Sequence, residues 1–413
     1  MKPIPRLLRQ ALTWLAKAVA GFVTFVVALV AVLLLVMWWE HQTAITLPTP
    51  TGPFAVGRTT FAWTNDAEVD ELAFASGSKR QVLVWVWYPA APSRTAVPTE
   101  YLPGLWRAAL ANQEGMFMRS FFKRDPALVH THSVSGATVS PEQRMFPVVL
   151  LRAGGSALTT DFTTLAEDLA SHGFFVVGFD APYRSFVVVL PDGRVVGRLP
   201  AYHVENANGN LADPIIGKLL RMWTADTTFV VDQLERLNAD SSENFAGRMD
   251  LRRLGMFGHS FGGATALEFC HQDSRCKAAL DMDGIPFGRV VPEGLNKPGM
   301  FLLSDHSRET ADPEGRQVLS EIESIYERLP NGRLYVVIRT ANHFSFSDQI
   351  LLNSPTVMRL LRLVRFGGLD GRRGLAISSD YAHTFFDVYL NGAPVSALTS
   401  IARKYNEVQI EGR

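Results

Sequence analysis

Residues 258–263, Gly-His-Ser-Phe-Gly-Gly, are the most informative stretch of this chain. They follow a short apolar run, residues 254–257, and lead into residues 264–269, whose composition is typical of a helix. A serine between glycines, at a sharp turn from a strand into a helix, is the pattern of a nucleophile elbow. Such a turn exposes the serine hydroxyl at the positive end of the helix dipole. The stretch therefore predicts that Ser260 is a nucleophile.

The segments on either side of this turn alternate between strand and helix patterns. Asp213-Pro214 supplies an N-cap and a first helical residue for a long helix with one apolar face. Continuous apolar runs such as residues 146–151 predict buried parallel strands. The alternation, without internal repeats, predicts a single α/β domain over residues 57–413, with a mostly parallel doubly wound sheet and helices on both faces. The remaining predicted strands are residues 57–63, 81–88, 174–180, 277–281, 300–305 and 333–338.

A serine nucleophile needs a nearby base and a carboxylate that orients the base. In α/β-hydrolases these residues follow in the order serine, acid, histidine, each on a loop after a strand. His343 has this position after the last predicted parallel strand. The acid stays open from spacing alone, because Asp281 and Asp283 follow one strand and Asp305 follows the next.

An oxyanion hole in this fold uses the amide of the residue after the serine and a second amide from the loop after an early strand. Here these are Phe261 and the loop of residues 153–156, Ala-Gly-Gly-Ser. Glycines in that loop allow its backbone amides to approach a tetrahedral intermediate closely.

The N-terminal region predicts a membrane anchor. Residues 1–17 form a short basic tail, and residues 18–39 are 22 consecutive residues without a charge. This length spans a bilayer core of about 30 Å, and Trp38 and Trp39 suit an interfacial belt. We expect an uncleaved signal anchor with a cytoplasmic N-terminus and a periplasmic or extracellular domain, because a cleaved signal peptide normally has a shorter apolar core of about 7–15 residues. The Pro/Thr-rich residues 40–56 predict an extended linker.

Composition excludes some classes of function. Lysine plus arginine and aspartate plus glutamate both number 40, and no basic stripe occurs, which argues against nucleic acid as a partner. The ten histidines are scattered, so no metal site is expected. A disulfide between Cys270 and Cys276 would form in an oxidising compartment, and the alternative is two small buried thiols. The sequence does not indicate an oligomeric state.

Residues 105–122 are unusually rich in large apolar side chains and predict helix. A lid, a surface that touches the membrane and an ordinary part of the core are the three interpretations of this stretch. The third is the simplest, and we adopt it as the expectation.

The sequence resembles the plasma-type platelet-activating factor acetylhydrolases and their bacterial relatives. The resemblance covers most of residues 47–390 and excludes the apolar N-terminal segment. It implies that Ser260 is the nucleophile, His343 the base and Asp281 the acid, with the amides of Phe261 and Gly155 as oxyanion donors. The segments that carry it are residues 47–57, 87–89, 169–174, 258–265, 275–281 and 385–387.

Members of this family release short or oxidised acyl groups from phospholipids without calcium or another cofactor. This chain departs from the family pattern in one place, because Ala153-Gly154, preceded by Arg152, stands where relatives usually have His-Gly. The expectation is a membrane-anchored serine esterase that acts on small-molecule or lipid esters. The alternatives are a general carboxylesterase or polyester hydrolase, and a non-catalytic hydrolase-like protein that is tethered to the membrane and binds a ligand.

Overall fold

The computed structural model describes residues 6–93, 95–203, 213–305, 313–330, 333–363 and 368–411. Residues 1–5 of the predicted basic tail therefore lie outside the described residues. The strands are β1 (Ile45–Thr46), β2 (Ala55–Val69), β3 (Lys79–Ala90), β4 (Val97–Glu100), β5 (Val129–Ser135), β6 (Phe146–Arg152), β7 (Phe175–Asp180), β8 (Val187–Val189), β9 (Val195–Gly197), β10 (Met249–His259), β11 (Cys276–Met282), β12 (Gly299–Leu303), β13 (Leu334–Ile338) and β14 (Val408–Glu411).

The α-helices include one long N-terminal helix and the two long helices that pack on the sheet. Asp213 caps α5 by accepting the Ile215 N–H at 2.9 Å, as the Asp-Pro pair predicted. The helices are α1 (Arg6–His41), α2 (Gly104–Glu114), α3 (Met116–Phe122), α4 (Thr163–Ser171), α5 (Pro214–Ala239), α6 (Phe261–Gln272), α7 (Val290–Glu293), α8 (Pro313–Arg328), α9 (Gln349–Leu352), α10 (Pro355–Leu363), α11 (Gly371–Asn391) and α12 (Ser396–Ile401).

One large sheet organises the molecule, in the order β1-β5-β2-β3-β7-β6-β10-β11-β12-β13-β14, with β4 paired to β5. The six neighbouring strands β7, β6, β10, β11, β12 and β13 are parallel to one another. Strands β2, β3 and β14 add antiparallel pairs at either side. The elbow strand β10 lies between β6 and β11, so the carboxyl ends of three parallel strands meet around Ser260. Strands β8 and β9 form a separate hairpin.

Successive residues of the buried strands face opposite sides of the sheet, as strand geometry requires. Val149 and Leu151 belong to a core that α4 and α11 cover. Val148 and Leu150 belong to the core on the other face, which α5, α6 and α8 cover. The doubly wound architecture predicted from the sequence is therefore confirmed.

Helix α1 contains a candidate membrane span, Arg9–His41, which is long and apolar enough to cross a bilayer by length and composition. Among the described residues of α1, the buried side chains lie at its C-terminal end. Met37 and Glu40 are buried there, and the helix packs against α3 and α10. Glu40 accepts hydrogen bonds from the backbone N–H and the hydroxyl of Thr356 and from the hydroxyl of Ser354, at the start of α10.

Residues 40–56 are not the extended spacer that the composition predicted. Strand β1 pairs with β5, and Leu47 is buried in the core. The Thr51 backbone N–H and hydroxyl both donate to Asp168, and the Gly52 N–H donates to the Ser171 hydroxyl. The segment is rich in Pro and Thr and still ordered, because its backbone donors and one apolar side chain find partners on the domain. The domain therefore begins well before residue 57.

The apolar stretch at 105–122 divides into two helices with different environments. Trp106 and Leu110 of α2 are buried, as expected for core residues. In contrast, Met116, Phe117 and Met118 of α3 are exposed, although α3 packs against α1. The expectation of an ordinary core segment is correct for α2 and wrong for the exposed face of α3.

Candidate active site

The turn between β10 and α6 has the backbone of a nucleophile elbow. Ser260 has φ 58° and ψ −127°, a conformation that costs about 1–3 kcal/mol for a residue with a side chain. Its N–H donates to the Met282 carbonyl at 2.9 Å, which ties the turn to the end of β11. A β-carbon on Gly258 would lie 2.0 Å from the Gly262 carbonyl oxygen, and one on Gly262 would lie 2.0 Å from the Arg152 carbonyl oxygen. The flanking glycines are therefore required by close backbone contacts.

His343 lies in the loop after β13, at the start of a short 3-10 turn that Asn342 caps. Its Nδ1 donates to Asp283 Oδ2 at 2.7 Å, and its side chain is 44% exposed. Asp283 follows β11, is almost fully buried, and adopts a left-handed backbone with φ 53°. The Ser304 N–H donates to Asp283 Oδ1 at 2.7 Å and the Ser304 hydroxyl donates to Oδ2 at 3.0 Å. These bonds fix the carboxylate that faces the histidine.

The preference for Asp281 as the partner of His343 is corrected by this geometry. Asp281 is the penultimate residue of β11 and points beneath the elbow, where its Oδ1 accepts the Gly284 N–H at 2.9 Å. A β-carbon on Gly263 would lie only 1.8 Å from this oxygen, so the carboxyl group fills space that Gly263 leaves. Burial, and secondarily the charge of Asp283, raises the pKa of Asp281 well above its usual value. An enclosed carboxyl group whose charged form is disfavoured by burial is unsuited to orient an imidazolium.

Asp305, the other candidate acid, contacts residues at the beginning of the loop that carries His343. Its Oδ2 accepts the Thr340 N–H at 3.0 Å, and its own N–H donates to the Ala341 carbonyl at 3.3 Å. These contacts suit a carboxylate that shapes the loop. Ser304, which sequence reasoning missed, is the residue before it, and the only signal in the sequence was its place at the end of β12.

The two predicted oxyanion residues lie on adjoining segments. Phe261 is the first residue of α6, so its amide belongs to the helix N-terminus that has no carbonyl partner within the helix. Gly155 lies in the buried turn that the Ala157 N–H closes by donating to the Gly154 carbonyl at 3.2 Å. A β-carbon on Gly154 would lie 3.0 Å from the Ser260 β-carbon, so this turn rests directly on the elbow serine.

Arg152 directly precedes Ala153-Gly154, where the chain departs from the family pattern, and its side chain packs beneath this turn. Its buried guanidinium stacks on Trp223 at 3.8 Å and on Phe179 at 4.7 Å from the ring centres. Trp223 in turn meets the ring of Phe261 edge-on, with centroids 4.9 Å apart. Burial lowers the pKa of Arg152 to about 10, so the side chain is a cation at neutral pH. The two segments that carry the candidate oxyanion donors are therefore joined through one aromatic side chain.

Asp168, His172 and His383 form the one group of ligand-type side chains found close together among the described residues. The two imidazole rings are stacked, with centroids 3.8 Å apart and an interplanar angle of 18°. Lone pairs of nearly parallel rings lie in separate planes, so one ion cannot bind both in this arrangement. Thr51 and His383 already donate to Asp168. The group therefore holds the segment after α1 against the domain by hydrogen bonds.

A mostly parallel sheet with a strained serine at the end of a central strand is the arrangement of the α/β-hydrolases, and this chain is one of them. Within that class it belongs to the family described as platelet-activating factor acetylhydrolase, isoform II, whose model matches residues 40–187 and 229–392. The resemblance noted from the sequence is thereby confirmed.

Individual relatives agree with this assignment. A probable 1-alkyl-2-acetylglycerophosphocholine esterase of Arthroderma benhamiae is 23% identical over 88% of this chain and 92% of its own length. The platelet-activating factor acetylhydrolase of Cavia porcellus is 22% identical over 84% of this chain and 78% of its own length. A ferulic acid esterase from Streptomyces cinnamoneus superposes with a TM-score of 0.72 at 27% identity, covering 90% of this chain and all of that one.

These comparisons favour an enzyme over a non-catalytic binding protein. The relatives are named esterases and acetylhydrolases, and Cutinase est1 of Thermobifida alba is also similar, at 24% identity over 62% of this chain and 73% of its own length. The chain is accordingly a carboxylic ester hydrolase.

Proposed function

We propose that the protein is a membrane-anchored serine esterase that cleaves short or oxidised acyl esters, in the manner of the platelet-activating factor acetylhydrolases, and requires no cofactor. The observation that carries the proposal is the 2.7 Å hydrogen bond between His343 and the buried Asp283, beside a serine in the left-handed conformation of an elbow. The acyl preference is supported by the names of the relatives from Arthroderma and Cavia.

In the proposed reaction, the Ser260 Oγ attacks the carbonyl carbon of the ester while His343 Nε2 accepts the hydroxyl proton. Asp283 keeps the proton of the imidazole on Nδ1 and stabilises the imidazolium that forms. The amides of Phe261 and Gly155 donate to the oxyanion of the tetrahedral intermediate. The intermediate collapses as the alcohol leaves with the proton from His343. Water then attacks the acyl-serine by the same steps and releases the carboxylic acid.

A second candidate function is that of a general carboxylesterase or polyester hydrolase. The similarity to a cutinase and to a ferulic acid esterase favours it, because both are esterases whose names indicate other alcohols and acids. The two candidates share the chemistry at Ser260 and differ only in the ester that the site accepts.

A chain-length series tests both candidates. The full-length protein would be assayed on p-nitrophenyl esters from acetyl to long-chain and on a 2-acetyl phospholipid, with chelator present and with Ser260→Ala as the control. Chelator-resistant turnover that favours short acyl groups and includes the phospholipid supports the acetylhydrolase. Turnover of simple esters without the phospholipid supports the general esterase. Failure of a fluorophosphonate to label Ser260 in the folded protein would refute both.

The proposed location is a membrane, crossed once by α1, with the N-terminus in the cytoplasm and the catalytic domain outside. The disulfide between Cys270 and Cys276 supports an oxidising compartment for the domain. The basic residues before the span support the orientation. Because α3 packs beside the C-terminal end of α1 and exposes Met116, Phe117 and Met118, the domain would lie against the outer face of the bilayer.

A further inference from the structure

Three separate segments must keep a fixed geometry around Ser260: the elbow itself, the His343 loop and the oxyanion loop, which we define as residues 153–158. A displacement of about 1 Å among such groups typically lowers a rate by about 10²-fold. One side chain, His259, contacts the other two segments as well as belonging to the first. The elbow, the base and the oxyanion donors therefore have a common point of contact.

His259 is buried and lies against the catalytic histidine. Its Nε2 lies 2.8 Å from the His343 carbonyl oxygen, and the two rings are 4.3 Å apart between centroids. A carbonyl oxygen only accepts hydrogen bonds, so the Nε2 of His259 carries the proton and donates. Burial lowers the pKa of His259 to about 3, which keeps the ring neutral and this tautomer in place at working pH.

The other ring nitrogen of His259 faces the oxyanion loop. A β-carbon on Gly154 would lie 3.5 Å from His259 Nδ1, which places this nitrogen beside the turn that precedes Gly155. In the tautomer defined above, Nδ1 is a bare acceptor, and it is buried without a hydrogen-bond partner among the described residues. A buried acceptor of this kind is costly to maintain, and apolar side chains of the same shape avoid the cost. This cost accompanies the hydrogen bond that the same ring donates through Nε2 to the His343 loop.

A second connection joins the same two loops farther from the serine. Asp161 Oδ2 accepts the Leu158 N–H at 2.9 Å, at the end of the oxyanion loop, and the Gln349 side-chain amide at 2.8 Å. The Asp348 N–H donates to the Asp161 carbonyl at 2.7 Å. The chain that follows His343 is thus bonded to the residue that closes the oxyanion loop.

We propose that His259 is a positioning residue, whose imidazole sets the separation between the His343 loop and the oxyanion loop so that base and oxyanion donors stay aligned on Ser260. The Asp161–Gln349 bond maintains the same alignment at the outer end of the loops. This inference rests on the proposed serine esterase function. It concerns rate rather than binding, because neither nitrogen of His259 is assigned a contact with the substrate.

Two substitutions separate the hydrogen-bonding role from packing. His259→Phe keeps an aromatic ring beside Phe162 and Phe346, whose centroids lie 5.6 and 6.0 Å from that of the imidazole, but lacks both nitrogens. His259→Gln lacks the ring and supplies an amide donor for the His343 carbonyl together with an oxygen acceptor. The expected result is a 10- to 100-fold lower kcat for His259→Phe with KM changed less than threefold, and recovery of most of kcat by His259→Gln.

The test measures kcat and KM on p-nitrophenyl acetate for the full-length protein and each variant, with a thermal unfolding scan of every sample. Absence of Ser260-dependent turnover in the wild type would reject the proposed function itself. An active wild type with His259→Phe within twofold of its kcat would overturn the inference alone. Equal kcat loss in folded His259→Phe and His259→Gln would also overturn it, because the ring and not its hydrogen bonds would then matter.

A substitution at the outer connection keeps the inference testable if His259→Phe does not fold. Gln349→Leu removes the amide that donates to Asp161 while leaving the buried backbone bond of Asp348 intact. A severalfold lower kcat with unchanged KM is expected, because the two loops lose one of their direct bonds. A wild-type kcat for this variant would overturn the coupling of the two loops.

Discussion

The identity of the acid is the prediction that the structure makes most sharply, and Asp283→Asn tests it. The Ser304 N–H and hydroxyl both donate to the Asp283 carboxylate, so an asparagine must turn its oxygen toward Ser304. Its NH₂ group then faces His343 Nδ1, which lies 2.7 Å from the carboxylate in the native protein. A donor at that place keeps the imidazole proton on Nε2. A protonated Nε2 cannot accept the proton of Ser260.

The magnitude follows from this change of tautomer. The equivalent substitution in other serine hydrolases lowers kcat by roughly 10⁴-fold, about 5 kcal/mol of transition-state stabilisation. Asp281→Asn is the matched control, because burial disfavours the charged form of the Asp281 carboxyl group and an amide oxygen can still accept the Gly284 N–H. We expect its kcat to stay within about threefold of the wild type, since neutral carboxyl and amide groups are similar in shape.

The assay is kcat on p-nitrophenyl acetate at pH 8, with Ser260→Ala as the baseline. A 10³-fold or larger loss in Asp281→Asn, with Asp283→Asn nearly active, would refute the reasoning. Stability supplies an independent readout, because the pKa of Asp281 is raised in the folded protein. Its contribution to stability is complete below the unfolded pKa and is lost as the pH rises through the folded pKa. Asp281→Asn should remove that decline in the free energy of unfolding, measured by urea titration at several pH values.

Three further predictions concern stability and membrane contact. The double substitution Cys270→Ala and Cys276→Ala opens a short disulfide loop and should lower the free energy of unfolding by about 2 kcal/mol, seen as a lower urea midpoint; an unchanged midpoint would show that the bond does not form in the cell. Glu40→Ala removes the acceptor of the donors at the start of α10 and should cost about 2 kcal/mol, measured as a lower thermal midpoint in nanodiscs, whereas an unaffected midpoint would contradict the docking of α1. A fluorophore on Phe117→Cys should be quenched by spin-labelled lipid in nanodiscs while the same label on the exposed Val395→Cys is not, and equal quenching at both sites would reject the proposed orientation.

Much of the fold was predictable because local patterns and the global arrangement agree. Continuous apolar runs marked the parallel strands, and the Asp213-Pro214 pair marked the start of α5. The alternation of strands and helices then leaves few ways to build a sheet. The family was predictable for a different reason, since it depends on motifs around Ser260 and elsewhere that are confirmed by the family match.

The segment after α1 was predicted less well. Its proline and threonine content is typical of a spacer, but Leu47 is buried and Thr51 is bonded to Asp168 on α4. Composition indicates which segments are flexible in isolation. It does not indicate whether a distant helix provides hydrogen-bond partners for their backbone groups. The exposed face of α3 was missed for a similar reason, because burial depends on which neighbour covers a helix.

The sequence by itself determined that a nucleophile elbow exists, that His343 follows the last parallel strand, and that an apolar N-terminal helix long enough to span a bilayer precedes the domain. These features depend on local backbone chemistry and on residue order. Only the tertiary structure decided between Asp281 and Asp283, which are two residues apart. The left-handed backbone of Asp283 and the hydrogen bonds from Ser304 direct one carboxylate to the histidine, while close contact with Gly263 encloses the other. Which of the two carboxylates faces the histidine depends on contacts with neighbouring strands, and the spacing of residues along the chain does not reveal those contacts.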